Sequence, residues 1–570
     1  MTVLSRLGFS RLREQVIGMD ARINTAFGER TMVYCDYTAS GRSLHFVERY
    51  LQGLLQGYAN THTEDDITGR GTSRLLHEAE QAIKRAVNAG PQGRIIACGT
   101  GATGAIDKLQ QILGVAIAPA TRARFNSQLI QFLGADRSRA FEEQQRARQP
   151  VVFVGPYEHH SNEVSWRQGL ATVVAVGLRD DGGIDMEHLA ALLADPAYRE
   201  RPRIGSFSAA SNVTGICTPV QEIAALLHRH SAFACFDYAA SGPYVAIDMN
   251  PGGEAWLDAI FVSPHKFIGG PGSSGVLVFN ERLYRQDLPP TVAGGGTIDY
   301  VSPTDQDFVT DIEMREKAGT PAILQTLRAA LAFEIKAAVT PTAIAAREAV
   351  LLARVFARWS GSKGVEILGN PDPARRIGIV SFNVRDPRGG YLHPKFVTAL
   401  LNDLFGIQSR AGCSCAGPYG HRLLAIGHEL SEQYRAWVRK GYKGIKPGWC
   451  RIGFHFVMDD VDTDFVIEAV LFAAAEGYKF LPLYRFDPYS GVWQHRNALD
   501  ALDDAPPLSL EAALAAQDVM PTALEAAERI RLFDGYLAEA RRIAASLGEP
   551  ADGPGKLLDG AFGSLQFFSA

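Results

Sequence analysis

The segment Asp258-Ala-Ile-Phe-Val-Ser-Pro-His-Lys-Phe-Ile-Gly-Gly-Pro-Gly272 is the most informative in the sequence, because an apolar strand in it runs straight into polar residues and glycines. Lys266 follows the end of this strand. Desolvation at the end of a buried strand lowers the pKa of an amine, and such a lysine is suited to forming a Schiff base. The glycines that follow permit close backbone approach to a ligand. From this segment alone, a surface lysine after a strand is an equally good interpretation.

The surrounding sequence, from about residue 90 to 280, alternates short β-rich runs with helical runs. The candidate strands are Arg94–Cys98, Val151–Val154, Arg203–Ser206, Ala232–Asp237, Ala259–Val262 and Gly275–Phe279. Strands that alternate with helices form βαβ units, so the sequence predicts an α/β fold with a mostly parallel sheet flanked by helices. Ligands of such sheets bind at the carboxyl ends of the strands, which makes the residues after each strand candidates for a site.

A change of pattern after residue 320 predicts a smaller α+β C-terminal domain. We expect a segment 1–40 packed with the small domain, a large domain 41–320, the small domain 321–480 and an acidic helical extension 481–570. The predicted elements of the small domain are a long helix Pro321–Phe356, strands near Val365–Leu368 and Ile377–Val384, and helices near Lys395–Leu404 and Thr463–Tyr478. Residues 118–150 fit a surface helical insertion rich in arginine, and a helix is predicted over Thr522–Ser546.

Composition excludes several classes of protein. The chain has 570 residues, a net charge of −5, and 46% hydrophobic and 21% charged residues, so a folded core is expected and a basic nucleic-acid binder is not. No apolar run is long enough for a membrane helix, and the N-terminus does not read as a secretory signal. Seven scattered cysteines fit a reducing, cytoplasmic compartment. The absence of HExxH and the C-S-C spacing of Cys413 and Cys415 argue against a metal site.

Three other strand ends carry residues that suit a single ligand. The turn Cys98–Ala105 leads from a strand into a helix and suits a phosphate, although most glycine-rich turns are only turns. Asp237 ends another strand, either as a helix cap or as an acid that keeps a ring nitrogen protonated. The segment Gly155–Asn162 offers an imidazole that can stack on a ring. Together with Lys266 these features are far more specific than any one of them.

This sequence resembles the class V aminotransferase group of fold type I enzymes that use pyridoxal 5′-phosphate (PLP), and within it the cysteine desulfurase and selenocysteine lyase branch. The resemblance covers about residues 30–475. It rests on Tyr34–Ser40, the GATGA turn, Glu158-His159-His160, Ser211-Asn-Val-Thr-Gly215 and Arg315-Glu-Lys-Ala-Gly-Thr-Pro321. It implies PLP as the cofactor and a homodimer as the assembly.

The resemblance also implies roles for individual residues. Lys266 takes the Schiff-base position, Asp237 the partner of the ring nitrogen and His159 the stacking position. Thr297 falls in the loop that offers a hydroxyl to the phosphate across the dimer interface, and His62 falls where the family often has an active-site histidine. The implied cofactor-binding set is Ala102, Thr103, His159, Asn212, Asp237, Ser263, His265, Lys266 and Thr297.

The second domain contributes the residues that indicate the branch. Gln408-Ser-Arg-Ala-Gly-Cys-Ser-Cys-Ala-Gly-Pro418 resembles the desulfurase stretch R-x-G-x-x-C-A-x-P, which places Cys415 at the nucleophile position and Arg410 at a position that binds the substrate carboxylate. Arg451, in Trp449-Cys-Arg-Ile452, resembles the arginine that clamps the same carboxylate, for which a planar guanidinium is suited. An ordinary buried thiol is the alternative interpretation of Cys415.

Two departures from the family keep other functions open. Asp237-Tyr-Ala-Ala240 lacks the glutamine of the family's Asp-x-x-Gln, and Cys413-Ser414 stands where related branches often carry two histidines. The leading hypothesis is cleavage of the C–S bond of L-cysteine, with a persulfide on Cys415, alanine as the product and a possible sulfur-acceptor protein as partner. The alternatives are a PLP-dependent aminotransferase, epimerase or β-lyase acting on another amino acid, and a non-catalytic PLP-fold binding or scaffold protein.

Overall fold

The chain forms two compact units in a computed structural model that describes residues 8–61, 63, 65–497, 508–550, 563 and 565–569. The central unit comprises residues 40–212 and 216–341. The N/C unit comprises residues 1–39, 213–215 and 342–570.

The N/C unit begins with a short helix and three strands, α1 (Phe9–Glu14), β1 (Arg22–Thr25), β2 (Gly28–Thr31) and β3 (Val33–Tyr34). The central unit follows with α2 (His45–Leu54), α3 (Ile67–Ala86), β4 (Gly93–Cys98), α4 (Gly101–Ile112), α5 (Pro119–Leu133), α6 (Ala135–Arg148), β5 (Val151–Val154), α7 (Val164–Gln168), β6 (Thr172–Ala175), α8 (Met186–Ala194), β7 (Arg203–Ser208), α9 (Val220–Arg229), β8 (Phe233–Asp237), β9 (Ala259–Val262), β10 (Gly275–Asn280), β11 (Ile298–Val301), β12 (Gln306–Phe308), α10 (Ile312–Arg315) and α11 (Ile323–Val339).

A seven-stranded sheet organises the central unit. Its strand order is β4-β10-β9-β8-β7-β5-β6, and β10 alone runs antiparallel to its neighbours. All residues of β5 and β9 are buried, as expected for strands covered by helices on both faces. The predicted α/β fold with a mostly parallel sheet is therefore confirmed. Because β4, β5, β7, β8 and β9 are parallel, their carboxyl ends meet at one edge of the sheet.

The N/C unit resumes with helices and short strands around a small antiparallel sheet of order β13-β14-β18-β17. Its elements are α12 (Pro341–Trp359), β13 (Val365–Ile367), β14 (Ile379–Val384), β15 (Tyr391–Leu392), α13 (Pro394–Phe405), β16 (Ile407–Gln408), β17 (Arg410–Gly412), α14 (Gly417–Leu423), α15 (His428–Arg439), β18 (Trp449–Gly453), α16 (Asp460–Glu476), β19 (Tyr484–Phe486), β20 (Trp493–His495), α17 (Leu510–Ala515), α18 (Ala526–Leu547) and β21 (Phe568–Ser569).

The single helix predicted over Pro321–Phe356 is wrong, because the structure has two helices there. Helix α11 ends at Val339, Thr340 takes a φ of +73°, and Pro341 begins α12. Proline has no N–H for the helical ladder and its ring clashes with the preceding turn, so it suits the first position of a new helix. The helix predicted over Thr522–Ser546 is present as α18, which begins four residues later, at Ala526.

Each unit has its own apolar core. In the central unit, α4 packs its buried face with residues of the sheet such as Phe261 and Leu277. In the N/C unit, α12, α13, α16 and α18 enclose a core around β14 and β18. Within the described residues no single helix is long and apolar enough to cross a membrane, and only the bent pair α11–α12 meets those criteria when taken together.

Glu348 is a buried acid in the core of the N/C unit. It lies on α12 and is 3% exposed. Its Oε2 accepts a hydrogen bond from the Gly378 N–H at 3.1 Å, while its Oε1 has no hydrogen-bond partner among the residues that the structure describes. Burial raises the pKa of this carboxyl from 4.5 to about 8, so the neutral form is favoured in the folded chain.

We expect Glu348→Gln to change how stability depends on pH. Between the unfolded pKa of 4.5 and the folded pKa of about 8, the folded chain binds more protons than the unfolded chain, so this group's contribution lowers the free energy of unfolding as pH rises. Glutamine does not ionise. Between about pH 6 and about pH 8 the variant should lose about 2 kcal/mol less stability than the wild type. Urea denaturation at both pH values measures this, and equal slopes for the two proteins would contradict it. The exposed Glu528→Gln should keep the wild-type slope.

Candidate active site

The carboxyl edge of the large sheet borders a cavity of about 280 Å³ within the central unit. The cavity is lined by side chains from five strand ends and the turns after them. Among its lining residues are eight of the nine predicted cofactor-binding positions: Ala102, Thr103, His159, Asn212, Asp237, Ser263, His265 and Lys266. The ninth, Thr297, lies in a loop before β11, where its hydroxyl donates to the Gly294 carbonyl oxygen at 2.8 Å. His62 lies outside the described residues.

The turn from β4 into α4 forms an anion cradle at one end of the cavity. The Ala102 N–H donates to Ser263 Oγ at 2.8 Å, and Thr103 Oγ1 is 2.7 Å from Ser161 Oγ. Gly101 has a φ of +63°, and a Cβ there would lie 2.8 Å from the His265 ring, so only glycine fits this turn. The first turn of a twelve-residue helix and these hydroxyls together suit a phosphate.

Asp237 supplies a buried carboxylate at the end of β8. Burial raises its pKa, whereas the hydrogen bond from the Ala239 N–H at 2.7 Å and the charge of Lys266 act in the opposite direction. A buried carboxylate of this kind gains stability from a protonated ring nitrogen. Ala240 also lines the cavity, so the position of the missing glutamine lies inside the site and presents only a methyl group.

Glu158 fixes the turn that carries His159, and sequence analysis gave it no role of its own. Its carboxylate accepts from the Gly155 and Ser208 N–H groups at 3.1 and 2.8 Å, and from the Ser208 hydroxyl and the Asn162 amide at 2.6 and 2.7 Å. Four donors around one buried carboxylate hold the backbone after β5 to that after β7. The signal in the sequence was the residue's place beside His159 in the turn that follows a strand.

The imidazole of His159 is oriented by its own turn. Its Nδ1 accepts the Ser161 N–H at 3.1 Å, which places the ring proton of the neutral form on Nε2. Ser161 was not predicted as a site residue. It lines the cavity and contacts both His159 and the anion cradle.

Lys266 enters the cavity from the turn that follows β9. Its backbone N–H donates to the Ser263 carbonyl oxygen at 3.0 Å. The neighbouring His265 has its pKa lowered to about 4 by burial and by the charge of Lys266, so its ring is neutral at physiological pH. A Cβ at Gly270 would lie 1.8 Å from the Pro264 carbonyl oxygen, which explains why glycine follows the lysine turn.

These residues fit PLP as a group. Hydroxyls and backbone N–H groups can hold a phosphate, a buried acid can pair with a ring nitrogen, an imidazole can cover a ring, and an amine lies in the same cavity. Because the set arises from five different strand ends, the match does not depend on one motif.

The predicted substrate-binding arginines lie in the N/C unit. Arg410 on β17 is directly opposite Arg451 on β18 in the antiparallel register. Asp36 accepts a hydrogen bond from each, from Arg410 Nε at 2.9 Å and from a terminal nitrogen of Arg451 at 3.1 Å. Asp36 was not predicted as a site residue.

Cys415 is exposed in the loop between β17 and α14. Ser414 and Cys415 have φ values of +49° and +56°, a left-handed conformation that is unfavourable for non-glycine residues and often marks functional sites. By contrast, burial raises the pKa of the Cys35, Cys98 and Cys450 thiols, so these remain protonated. Cys415 and Cys217 are the exposed thiols, and Cys413 is half-buried.

Comparison with known proteins assigns this fold to a class. The chain belongs to the class-V aminotransferase family, whose model matches residues 139–465. The fold is accordingly fold type I, and it is similar to the structure of an apo cysteine desulfurase from Thermococcus onnurineus (TM-score 0.61, 20% identity, 77% of this chain and 94% of that chain). It is also similar to a cysteine desulfurase from Escherichia coli (TM-score 0.60, 19% identity, 81% of this chain and 98% of that chain).

Relatives found by sequence comparison are, like these solved structures, named as cysteine desulfurases. A probable cysteine desulfurase from Halalkalibacterium halodurans is 31% identical over 271 residues, which are 47% of this chain and 62% of the relative. A cysteine desulfurase from Dickeya dadantii is 31% identical over 274 residues, which are 47% of this chain and 61% of the relative. The matches thus span somewhat less than two thirds of these curated relatives.

Proposed function

We propose that this protein is a PLP-dependent enzyme that cleaves the Cβ–S bond of L-cysteine, releasing alanine and leaving a persulfide on Cys415. The observation that carries the proposal is the single cavity that brings together the anion cradle, Asp237, His159 and Lys266. The family and the relatives named cysteine desulfurase support the choice of substrate.

The residues of the cavity divide the binding of PLP among them. The first turn of α4, with Thr103 and Ser263, would hold the phosphate, and Asp237 would accept a hydrogen bond from the ring nitrogen. His159 would cover the ring, and Asn212 would bind the phenolic oxygen. Bound PLP supplies an electron sink for the electron pair released at the substrate's α-carbon.

Protein side chains move the proton and the sulfur. Arg410 and Arg451 bind the substrate carboxylate, and the Lys266 amine takes the α-proton as a general base. The Cys415 thiolate attacks the substrate sulfur, so a new S–S bond forms as the Cβ–S bond breaks. The electrons of that bond remain with the carbon, which is protonated to give alanine. A thiol of ordinary pKa is only a few per cent ionised at neutral pH, so a nearby cation or base must favour the thiolate; His62 and Arg410 are the candidates.

The proposal extends to the assembly and the partners. A homodimer would let the loop of Thr297 serve the neighbouring site, a sulfur-acceptor protein would remove the persulfide, and the compartment would be the cytoplasm. A PLP-loaded monomer in sedimentation experiments would contradict the dimer.

A second candidate function keeps PLP but does not use Cys415. Ala240 in the cavity wall removes a hydrogen-bond donor from the cofactor's surroundings, which favours an aminotransferase, epimerase or β-lyase acting on another amino acid. A non-catalytic binding or scaffold role is the remaining alternative, and it predicts a chain that turns over no amino acid.

The Cys415→Ala variant separates these functions. With L-cysteine and a thiol reductant, we expect the wild type to form alanine and sulfide in equal amounts, and the variant to form both at least about 100-fold more slowly, because the nucleophile is lost. Cys217→Ala removes the other exposed thiol and should match the wild type. A Cys415→Ala variant that forms alanine at the wild-type rate would contradict the assignment of Cys415 as the nucleophile. A PLP-loaded wild type that forms no alanine would overturn the function.

A further inference from the structure

The two arginines assigned to the substrate carboxylate lie so close together that the repulsion between their positive charges needs a compensating negative charge. Arg410 and Arg451 are direct cross-strand partners, so their side chains project from the same face of the β17–β18 pair. Like charges directly opposite on a sheet destabilise it. Arg451 is 4% exposed, so water screens its charge poorly.

Asp36 lies between the two guanidinium groups. Its Oδ2 accepts from Arg410 Nε at 2.9 Å, and its Oδ1 accepts from Arg451 at 3.1 Å. Each carboxylate oxygen therefore serves a different arginine, and the three side chains together carry one net positive charge.

The backbone holds Asp36 in register with both strands. The preceding residue, Cys35, donates its N–H to the Gln408 carbonyl oxygen at 2.9 Å and accepts the Gly453 N–H at 2.7 Å. Cys35 is thus bonded to the strand before Arg410 and to the end of the strand that carries Arg451. These bonds fix the backbone from which the Asp36 side chain projects, and the hydrogen bonds from both arginines then hold its carboxylate, as expected of a residue that orients others.

We propose that Asp36 is a positioning residue that sets the charge selectivity of the carboxylate clamp: it orients Arg410 and Arg451 and leaves them one net positive charge, which suits an amino acid with a single carboxylate. This inference rests on the proposed function, because it takes these arginines as the substrate clamp. It adds a substrate class, amino acids with an uncharged side chain, and it disfavours those with a second anionic group.

The selectivity follows from Coulomb's law. Removing the Asp36 charge would raise the clamp from one to two net positive charges, and a second anionic group on the ligand would then be attracted more strongly. At a separation of several ångströms and an intermediate effective dielectric, the change in relative affinity is on the order of tenfold. A purely structural role would weaken the binding of all ligands equally.

The test uses two ligands of nearly equal shape that differ by one charge, L-asparagine and L-aspartate. Their dissociation constants are measured by isothermal titration calorimetry on the PLP-loaded full chain. The variants are Asp36→Asn, Asp36→Glu and the double variant Asp36→Asn with Arg410→Gln, which returns the clamp to one positive charge. Asp534→Asn, an exposed acid on α18, controls for a general loss of negative charge.

We expect the wild type to prefer L-asparagine and Asp36→Asn to shift the ratio about tenfold towards L-aspartate. Asp36→Glu, the double variant and Asp534→Asn should retain a ratio close to that of the wild type. An unchanged ratio in folded Asp36→Asn overturns the inference, as does a wild type that binds neither ligand. The sulfide assay reports separately on the proposed function: a wild type that shows the charge-dependent ratio but makes no alanine from L-cysteine would refute desulfuration and leave the clamp assignment standing.

Discussion

Replacement of Lys266 by alanine is expected to lower the rate of alanine formation from L-cysteine by at least about 10³-fold, since a positioned general base alone contributes about 10²–10⁴-fold. The amine is the one primary amine among the residues that line the cavity. The variant should remain folded, because the backbone hydrogen bond from the Lys266 N–H to the Ser263 carbonyl oxygen does not depend on the side chain. The alanine formed and the visible absorbance of the bound cofactor are measured together.

Two control variants make this result specific to the amine. Lys266→Arg keeps the positive charge but not an amine that can be deprotonated near neutral pH, so it should be as inactive as the alanine variant. Lys363→Ala removes an exposed lysine of the N/C unit and should leave the rate unchanged. If Lys266→Ala retains more than about a tenth of the wild-type rate, Lys266 is not the general base of the reaction.

The site could be predicted largely because parallel strands impose a common edge. Cys98, Asp237 and Val262 are each predicted to be the last residue of a strand. The functional side chains that follow them are therefore expected to lie together at the carboxyl edge of the sheet. The six strands predicted for the large sheet are all present, with ends within two residues, because short β-branched and aromatic runs between helices have few alternative structures; β6 (Thr172–Ala175) was not predicted. Glycines with a required conformation, such as Gly101, added further constraints at the same places.

Features that depend on partners distant in sequence could not be predicted in this way. Asp36 meets Arg410 across 374 residues, and no local pattern marks a carboxylate as the bridge between two arginines. The break at Thr340 was missed for a different reason. The alanine-rich pattern continues across Pro341, so periodicity favoured one helix although proline can also begin one.

A group of five charges, four of them buried, likewise joins residues that are distant in the sequence. Arg13 of α1 and Arg529 of α18 share the carboxylates of Asp20, Asp459 and Asp462. The sequence predicted the helix that the structure shows as α18, but it did not indicate which part of the chain this helix packs against. In the structure, Arg529 is 2% exposed and donates to Asp459 at 3.0 Å and also to Asp462. The C-terminal helix is therefore joined to the body of the N/C unit by buried ion pairs.

Apolar contacts place the same helix against the same core. The Phe533 ring stacks on Phe465 of α16 with centroids 3.9 Å apart. Arg30 of β2 pairs with Glu539 at 2.9 Å, so strands near the N-terminus also hold α18. A helix with both kinds of contact contributes to the stability of the whole unit, whereas a helix that merely extends from the surface would not.

Arg529→Met is expected to destabilise the folded chain by about 3–5 kcal/mol, because it leaves the buried carboxylate of Asp462, beside the partly exposed Asp459, with one cationic partner fewer. Methionine keeps the length and helix propensity of the side chain, so the loss reports on charge. Arg541→Met changes an exposed arginine of the same helix and should cost less than about 0.5 kcal/mol. Urea denaturation followed by tryptophan fluorescence gives both values. If the two variants lose equal stability, the buried cluster does not hold α18, and the stacked aromatic pair must carry its docking.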